Sequence, residues 1–384
     1  MYLLEHDAKE LLAARGIAVP AGCLIESAAA ARTASLPPGP WVVKGQIAAG
    51  GRGKAGIIRK AASIAELVAN ARHIIGAKVK GQRVATARIE QQVGGAREAY
   101  VGFLLDAASG GVRVILSASG GMDIELVPRE QIHSELARPD AHSLANCVRQ
   151  LARSLPSEIA PSARDAGERL AHAFMELEAL LIEINPLFVY PDGRWVVGDA
   201  KIVTDDNALP RQTALESLVE ARSAAYPDVA RKHEHGFDYV VVDPEGEIGL
   251  LTTGAGLSMM LIDELRAAGL KPYNFLDIRT GGLRGETRRL TQVLRWIGEG
   301  QKVRVLLVNI FAGITDLGEF SRLLVEAIAA APQLKVPVVA RLVGNGLPAA
   351  REVLAAARIG LYTDLDEALA AVREHLARGM RAEG

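Results

Sequence analysis

The sequence predicts an α/β protein whose carboxyl-terminal part is built around a doubly wound parallel sheet. From Phe237 onward, short apolar segments of strand length alternate with amphipathic helical segments, which is the pattern of strands that are buried on both faces. The chain has 384 residues and exceeds one ordinary hydrophobic core, so two or three domains are expected. We place the first domain at residues 1–230, with an inserted subdomain at about 20–105, and the last domain at residues 237–384.

The composition excludes several classes of partner. The formal net charge is −1 and both signs are interspersed, so we expect neither nucleic acid nor a membrane as a partner. The longest apolar run, around residues 305–310, has the length of a strand and is too short to span a bilayer. Cys23 and Cys147 are too few and too far apart for a disulfide framework, and the amino-terminal residues lack the pattern of a secretion signal. These observations predict a cytoplasmic protein.

The amino-terminal region predicts a helix followed by a phosphate-binding loop. Apolar residues at helical spacing in residues 5–15 are ended by Gly16, and a short strand at 41–44 precedes the segment GQIAAGGRGKAG. Glycines let the backbone approach an anion, and the interleaved Arg52 and Lys54 add positive charge. The loop is neither a Walker A motif nor GxGxxG, and a surface turn with incidental basic residues is the alternative.

The middle of the chain predicts helices, two candidate carboxylates and a linker. Glu90 and Glu98 flank a break between two strands, where a carboxylate can accept from a ribose or an amino group, although an ordinary salt bridge is as compatible with either residue. Residues 227–236 are typical of a linker, in which His233 and His235 lie in a charged run that favours solvation over metal binding. Helices are expected at residues 64–75, 141–154 and 162–178.

Residues 180–203 predict a β-hairpin. Two apolar strands are joined at Pro191-Asp192-Gly193, which is a typical turn sequence. With the turn centred on Asp192, the facing pairs are Glu183 with Lys201, Ile184 with Ala200, and Asn185 with Asp199. One face is then apolar and carries Ile182, Ile184, Phe188, Val196 and Ile202, whereas the other gathers the four polar residues Glu183, Asn185, Asp199 and Lys201. A bulge at Pro186 would change this geometry.

The polar face of the hairpin suits a divalent cation. An amide oxygen beside a carboxylate, as at Asn185 and Asp199, is a donor set for Mg²⁺, which keeps several waters and takes its remaining ligands from phosphates. We favour this interpretation over a solvated sheet face, because an exposed face seldom places its only polar residues opposite each other.

The carboxyl-terminal part predicts anion-binding turns at one edge of its sheet. Two of its strands end in glycine turns, at residues 253–257 and 312–315. Backbone N–H groups at the start of the following helices can bind an anionic ligand there, and tight strand-to-helix turns without a ligand are the alternative. Strands are expected at residues 239–242, 248–252, 274–278, 303–311, 336–343 and 361–363.

Taken together, the motifs resemble the β subunit of succinyl-CoA synthetase. They occur in family order over essentially the whole chain: GGRGKAG at 50–56, EINPL at 183–187, DAK at 199–201, DDNAL at 205–209, GAGL at 254–257 and VNIFAGI at 308–314. The resemblance implies an N-terminal ATP-grasp region followed by a flavodoxin-like CoA-ligase domain.

The resemblance also implies roles for single residues. The nucleotide would be bound by Lys44, Gly51, Arg52, Gly53, Glu90, Val93 and Glu98. Mg²⁺ would be bound by Asn185 and Asp199, the pair that the hairpin register selects independently. The catalytic residue would be Glu183, which orients a phosphohistidine of a partner subunit, and a buried pair with Lys201 is the alternative role. The substrate site would contain Thr253, Gly313, Ile314 and Thr315.

The activity that the resemblance implies is that of an ADP-forming acid–thiol ligase. ATP, or GTP, phosphorylates a histidine of a separate α subunit, the phosphate passes to a small carboxylic acid, and the CoA thiolate attacks the acyl phosphate. The phosphohistidine and the main CoA site belong to that α subunit, and the assembly would be αβ or α2β2. Phosphoryl transfer requires mainly charge and positioning from the β chain.

The chain departs from the family pattern in its carboxyl-terminal half. Thr253 stands where the family usually has Asn, residues 278–284 replace a run of glycines, and residues 315–317 replace Arg-Cys-Asp. We therefore expect retained phosphorylation with an altered acid: succinate is the default and malate is the first alternative. Arg279 or Arg284 is a hypothetical contact to an anionic group of that acid, with surface charge or a subunit contact as the alternative. Two other readings are a non-catalytic nucleotide-binding paralogue and a self-contained ATP-grasp ligase that needs no α chain.

Overall fold

The computed structural model describes residues 1–278, 287–313 and 316–382. The chain divides into two compact units, Met1–Ala221 and Arg222–Gly384. We call them unit 1 and unit 2 and describe each by itself.

The first part of unit 1 is an antiparallel sheet covered by a helix. Its elements are α1 (Glu5–Ala13), β1 (Gly22–Ile25), β2 (Trp41–Gln46), β3 (Ile58–Ala61), α2 (Ile64–Ile74), β4 (Lys78–Val79), β5 (Gln82–Arg83) and β6 (Thr86–Gln91). The sheet has the order β1-β6-β2-β3. Helix α2 buries Leu67 and Ile74 in one core with Val43 of β2 and Ile89 of β6. Lys44 of β2 pairs with Arg88 of β6, and Glu90 lies two residues further along β6 on the same face of the sheet.

The second part of unit 1 is a larger antiparallel sheet with two helices on one face. Its elements are β7 (Arg97–Asp106), β8 (Gly111–Ser117), β9 (Ile132–Ala137), α3 (Ala141–Ala152), α4 (Ala160–Glu176), β10 (Ala179–Val189), β11 (Trp195–Val197), β12 (Ala200–Thr204) and α5 (Thr213–Ala221). The strand order is β11-β10-β7-β8-β9, and β12 also pairs with β10. The ring centroids of Phe174 in α4 and Phe103 in β7 lie 5.9 Å apart, so α4 covers this face of the sheet.

The predicted hairpin register is confirmed, but the prediction of which residues are buried is wrong beyond Asn185. Glu183 pairs with Lys201 and Ile184 pairs with Ala200, as expected. Beyond Pro186, however, Leu187, Val189 and Val197 are buried, whereas Phe188 and Val196 are only half-buried. The reason is a register shift of β10 against its other neighbour, β7, between Ile184 and Leu187, since one extra residue exchanges the two faces of a strand.

Residues 227–236, expected as a linker, form a helix instead. Helix α6 (Pro227–His235) belongs to unit 2 and ends at Gly236, whose φ of 73° is left-handed. Proline in the first turn and glycine just past the last residue are the boundaries of a helix. Arg231 of α6 lies 5.3 Å from the ring centroid of Trp296 and 2.9 Å from Glu299. These contacts hold the helix against the rest of unit 2.

Unit 2 has the predicted parallel sheet with helices on both faces. Its further elements are β13 (Asp238–Val241), β14 (Ile248–Thr252), α7 (Ala255–Ala267), β15 (Asn274–Asp277), α8 (Arg288–Gly298), β16 (Val305–Ala312), α9 (Leu317–Ala329), β17 (Val338–Gly344), α10 (Leu347–Ala356), β18 (Gly360–Tyr362) and α11 (Leu365–Ala382). The parallel order is β14-β16-β17-β18. Alternate residues of β16 enter two cores: Leu306 packs with α8 and α9 on one face, and Leu307 packs with α7 and α11 on the other.

Two of the strands expected in the parallel sheet are not hydrogen-bonded members of it. Strands β13 and β15 form a separate antiparallel pair. The side chain of Asn274 in β15 accepts from Leu250 N–H at 2.8 Å and donates to Leu250 O at 2.9 Å. A side-chain amide thus replaces the backbone pairing between β15 and β14, which a pattern of apolar residues does not reveal.

Within residues 1–278, 287–313 and 316–382, no helix combines the length and the apolar character that a membrane span requires.

Candidate functional site

Seven charged side chains of unit 1 meet in a buried charge cluster, which consists of Glu5, Lys9, Lys44, Arg52, Arg88, Glu90 and Asp199. They come from α1, β2, the glycine-rich loop, β6 and the residue that precedes β12. Six of them are buried, whereas the Asp199 side chain is 30% exposed. The cluster therefore opens towards solvent on the side of Asp199.

The ammonium group of Lys44 has three acceptors. It lies 2.9 Å from Glu5 Oε1, 2.5 Å from Glu90 Oε1 and 2.7 Å from Gly198 O. Burial lowers the pKa of Lys44, but Glu5 and Glu90 outweigh burial and hold that pKa above its ordinary value. Lys44 is thus a permanent cation that is already fully coordinated, and a phosphate has to replace one of these acceptors to bind it.

Lys9 shares the same acceptors and was not predicted as part of the site. Its Nζ lies 2.7 Å from Glu5 Oε1, 2.7 Å from Glu90 Oε2 and 2.8 Å from Gly198 O. Burial is the largest influence on Lys9 and lowers its pKa. The signal in the sequence is that Glu5 and Lys9 lie at i, i+4 on the same stripe of α1 as the buried Ala8 and Leu12. Charges on an apolar stripe indicate a buried ionic contact.

Arg52 of the glycine-rich loop bridges two carboxylates. Its Nη2 donates to both oxygens of Asp199, at 2.6 and 2.8 Å, and its Nη1 lies 2.6 Å from Glu5 Oε2. The predicted phosphate-binding residue and the predicted metal ligand are therefore in direct contact. The flanking Gly51 and Gly53 are exposed, and φ of Gly51 is 79°, a conformation that favours glycine.

Of the predicted metal pair, Asn185 lies on β10 and Asp199 directly precedes the neighbouring strand β12. The backbone N–H of Asn185 donates to Asp199 O at 3.2 Å. The Asn185 side chain accepts from Gly121 N–H at 2.7 Å and donates to Met122 O at 2.8 Å, so its oxygen keeps one free lone pair. An amide oxygen and a carboxylate are a donor set that fits Mg²⁺, although the Arg52 guanidinium contacts the same carboxylate.

A second glycine loop, at residues 118–123, was also missed. Gly121 has a φ of 75°, and a Cβ atom there would lie 1.8 Å from Glu98 Oε2. Lys54 pairs with Asp123, which joins this loop to the glycine-rich loop. The predicted residue Glu98 is exposed and lies under this second loop rather than in the buried charge cluster. Two adjacent glycines within four residues of the end of a strand, Gly120 and Gly121 after β8, are the signal in the sequence for such a loop.

Replacement of Gly120 by alanine is expected to weaken nucleotide binding by about tenfold or more, because the new methyl group would lie 2.3 Å from the backbone oxygen of Ala99 and would displace the loop that holds Asn185. The matched control is Gly110→Ala. Gly110 has open space around its Cβ position, so alanine there costs only about 1 kcal/mol of backbone strain at its φ of 67°. Titration calorimetry with ADP on both variants measures the difference, and equal affinities would contradict a role for this loop.

Glu183 is half-buried beside a lysine and a tyrosine. Lys201 Nζ lies 3.5 Å from Glu183 Oε2. Burial raises the pKa of Glu183, and the positive charge of Lys201 opposes that increase. Burial also raises the pKa of Tyr100, to which the nearby Glu183 charge adds. Glu183 therefore pairs with Lys201 and is still accessible from the polar face of the sheet.

The predicted residue Val93 lines a cavity of about 880 Å³ in unit 1. The cavity is lined by Pro20, Gln92, Tyr190 and Trp195 among others. Its volume falls within the range of small-molecule sites. A nucleotide base fits such a mixed polar and aromatic lining.

The predicted substrate residues lie at one edge of the sheet in unit 2. Thr253 is buried directly after β14, and Gly313 follows the neighbouring strand β16. Thr252, the last residue of β14, pairs with Asn309, three residues before the end of β16. Ile314, Thr315, Arg279 and Arg284 lie outside the described residues. Gly254 N–H, an expected anion donor, donates to Asp277 Oδ1 at 3.0 Å.

Comparisons with known proteins match the whole chain. A family model described as an ATP-grasp domain matches residues 2–189, and a model described as CoA-ligase matches residues 251–374. This order confirms the predicted fold class. A protein named succinate–CoA ligase (ADP-forming) subunit beta from Chloroflexus aurantiacus is 36% identical over 388 residues, which covers 98% of this chain and 100% of the relative. A subunit beta 2 of the same name from Archaeoglobus fulgidus is 36% identical over 360 residues and 92% of each chain.

Among solved structures, an ATP citrate lyase from Methanothrix soehngenii, in complex with citrate and coenzyme A, is similar in fold. Its TM-score is 0.68 at 16% sequence identity, and the match covers 94% of this chain and 95% of that chain. At this identity the likeness concerns the fold alone.

Proposed function

This chain belongs to the succinate–CoA ligase β-subunit family, and from that membership we propose that it is the β subunit of an acid–CoA ligase that forms ADP. The observation that carries the proposal is the buried charge cluster, in which Lys44 and Arg52 lie beside the oxygen donors Asp199 and Asn185. Cations for phosphate and oxygen ligands for a metal are together what phosphoryl transfer requires.

Different residues of unit 1 bind the phosphates, the base and the metal ion of the nucleotide complex. Lys44 and Arg52 bind the phosphates, and the open backbone of Gly51 and Gly53 lets the chain approach them closely. The base enters the cavity beside Val93. Asn185 and Asp199 hold Mg²⁺, which when bound supplies charge neutralisation for the transferred phosphoryl group.

Glu183 contacts the imidazole that accepts the phosphoryl group. It lies two residues from Asn185 on β10 and carries a half-buried carboxylate. A carboxylate beside an imidazole favours the tautomer that presents the ring nitrogen for phosphorylation. We propose that this imidazole belongs to a phosphohistidine of an α subunit, which also supplies the main CoA site, in a cytoplasmic αβ or α2β2 assembly.

The acid is bound by unit 2, at the edge that carries Thr253 and Gly313. Succinate is the acid in the names of the relatives. We propose that the rewritten loops, with Arg279 or Arg284, admit a different anionic acid, of which malate is the first to test. The same loops are the observation that favours a non-catalytic paralogue as the second candidate.

The proposal predicts thioester formation only in the presence of a partner. The chain is co-expressed with an α subunit of the same family and assayed with ATP or GTP, Mg²⁺, CoA and a panel of succinate, malate and sulfonated acids. We expect turnover with the complex and background rates with the β chain alone. Turnover by the β chain alone would indicate a self-contained ligase instead. Nucleotide binding without turnover on any acid would favour the non-catalytic paralogue.

A further inference from the structure

The carboxylate proposed to bind the metal is already occupied by a cation of the same chain. Arg52 contacts both oxygens of Asp199, at 2.6 and 2.8 Å. Both contacts come from Nη2, so one positively charged group lies between the two carboxylate oxygens, where a chelated divalent cation would sit. A divalent cation therefore cannot be chelated by both oxygens of Asp199 until Arg52 leaves.

The charges around Asp199 make the replacement of Arg52 by a divalent cation depend on a bound nucleotide. The buried charge cluster contains four cations, Lys9, Lys44, Arg52 and Arg88, against three carboxylates, and the exposed Glu10, 3.1 Å from Arg88, supplies a fourth, so the local formal charges balance. A divalent ion alone would add two positive charges to a partly buried site whose charges are already balanced. A nucleoside triphosphate brings more negative charge than the ion brings positive, and its phosphates offer Arg52 a replacement for Asp199.

The local structure allows Arg52 to release Asp199 but not Glu5. Its contact to Glu5 lies in the sealed part of the cluster, where the Glu5 side chain is 1% exposed, whereas its contact to Asp199 faces solvent. The neighbouring Gly53 has no atoms near its Cβ position, so the loop backbone has open space around it. Arg52 can thus exchange Asp199 for a phosphate while Glu5 keeps its other end in place.

Building on the proposed function, we propose that Arg52 is a built-in counter-ion of Asp199, which keeps the metal site closed until a nucleotide arrives. Metal and nucleotide then bind this chain as a pair, and the divalent ion alone is bound weakly. Arg52 acts in both states, first on the carboxylate and then on the phosphates.

The test is a titration of the full-length chain with Mn²⁺ in the absence of nucleotide, followed by the electron paramagnetic resonance signal of the free ion. We expect weak binding by the unaltered chain and an affinity higher by about tenfold or more in Arg52→Ala, which loses one adjacent unit charge. ADP affinity should change in the opposite direction, because the phosphates lose a contact. Arg52→Lys, which keeps the charge without the bidentate contact, should give an intermediate Mn²⁺ affinity and serves as the variant if alanine impairs folding.

Two controls separate this effect from a general change of charge. Lys54→Ala removes the same charge from the same loop, but Lys54 pairs with Asp123 and not with Asp199, so the Mn²⁺ affinity should stay within about twofold. In Arg52→Ala with Asp199→Asn, the gained affinity should be lost. An unchanged Mn²⁺ affinity in Arg52→Ala, or a gain that persists in the double variant, would overturn the proposal.

The same samples distinguish this proposal from the proposed function. If the unaltered chain binds no ADP with Mg²⁺, the nucleotide function fails, and with it the coupling of the metal to the nucleotide. If ADP binds and Arg52→Ala shows no gain in Mn²⁺ affinity, the function stands and the counter-ion role of Arg52 alone is wrong.

Discussion

Replacement of Lys44 by methionine is expected to lower the rate of thioester formation by about 10²- to 10³-fold, the usual cost of removing one preorganised group that stabilises transition-state charge. Lys44 is buried, permanently charged and held by Glu5, Glu90 and Gly198 O beside the proposed phosphate path. Initial rates of the αβ complex at saturating ATP, CoA and acid measure the effect on the chemical step.

Lys54→Met is the matched control, since Lys54 lies in the adjacent glycine-rich loop, is 71% exposed and pairs with the exposed Asp123. Its rate should fall by less than about fivefold. If Lys44→Met and Lys54→Met lost rate equally, Lys44 would serve only as a member of a structural ion network. Thermal unfolding of both variants checks that the fold is retained.

The hairpin shows how far a local pattern determines structure. A centred turn and alternating residues were enough to place Asn185 opposite Asp199 and Glu183 opposite Lys201. The exchange of buried faces at Pro186 could not be derived in this way, because it results from the shift between β10 and β7. Strand β7 is more than 70 residues away in sequence from the shifted residues, and pairing between such distant strands depends on tertiary packing.

The residues of the functional site were predicted from the sequence, whereas the contacts between them were not. Lys44, Arg52, Glu90 and Asp199 were predicted as single binding residues, and the structure brings them together. The sequence pattern did not indicate that they neutralise one another, because ion pairing depends on distances between five separate segments. Glu5 and Lys9 were missed since helix α1 was interpreted from its apolar residues alone, whereas its charged residues are buried as well.

Two similar lysines in one cluster have different consequences for function. Lys9 and Lys44 share Glu5, Glu90 and Gly198 O as acceptors. Lys9 is fully buried on a helix, while Lys44 lies at the end of the loop that would meet phosphate. When Lys44 turns towards a phosphate, Glu5 keeps Lys9 and Arg52, and Glu90 keeps Lys9 and Arg88. The second lysine thus allows the first to change partners without leaving buried charges unpaired.

Replacement of Glu5 by glutamine is expected to lower the free energy of unfolding of unit 1 by about 3–5 kcal/mol, the usual cost of breaking a buried ion network. One carboxylate of Glu5 contacts Lys9, Lys44 and Arg52, at 2.7, 2.9 and 2.6 Å. Its loss leaves four buried cations with two carboxylates. The control is Glu10→Gln on the same helix, where the side chain is 57% exposed and contacts Arg88 at 3.1 Å. We expect this control to cost less than about 1 kcal/mol in urea denaturation.

The pH dependence of the Glu5 effect follows from its pKa. Burial raises this pKa, but the nearby Arg52, Lys44 and Lys9 hold it well below its ordinary value. Because the pKa in the folded state lies below that in the unfolded state, the stabilisation is fully present above the unfolded value of about 4.3 and is lost as the pH falls through the folded value. The difference in stability between the unaltered chain and Glu5→Gln should therefore be constant from about pH 6 to 8 and decrease only below about pH 4. A difference that already decreases between about pH 6 and 8 would show that Glu5 is not held in its ionised form by these three cations.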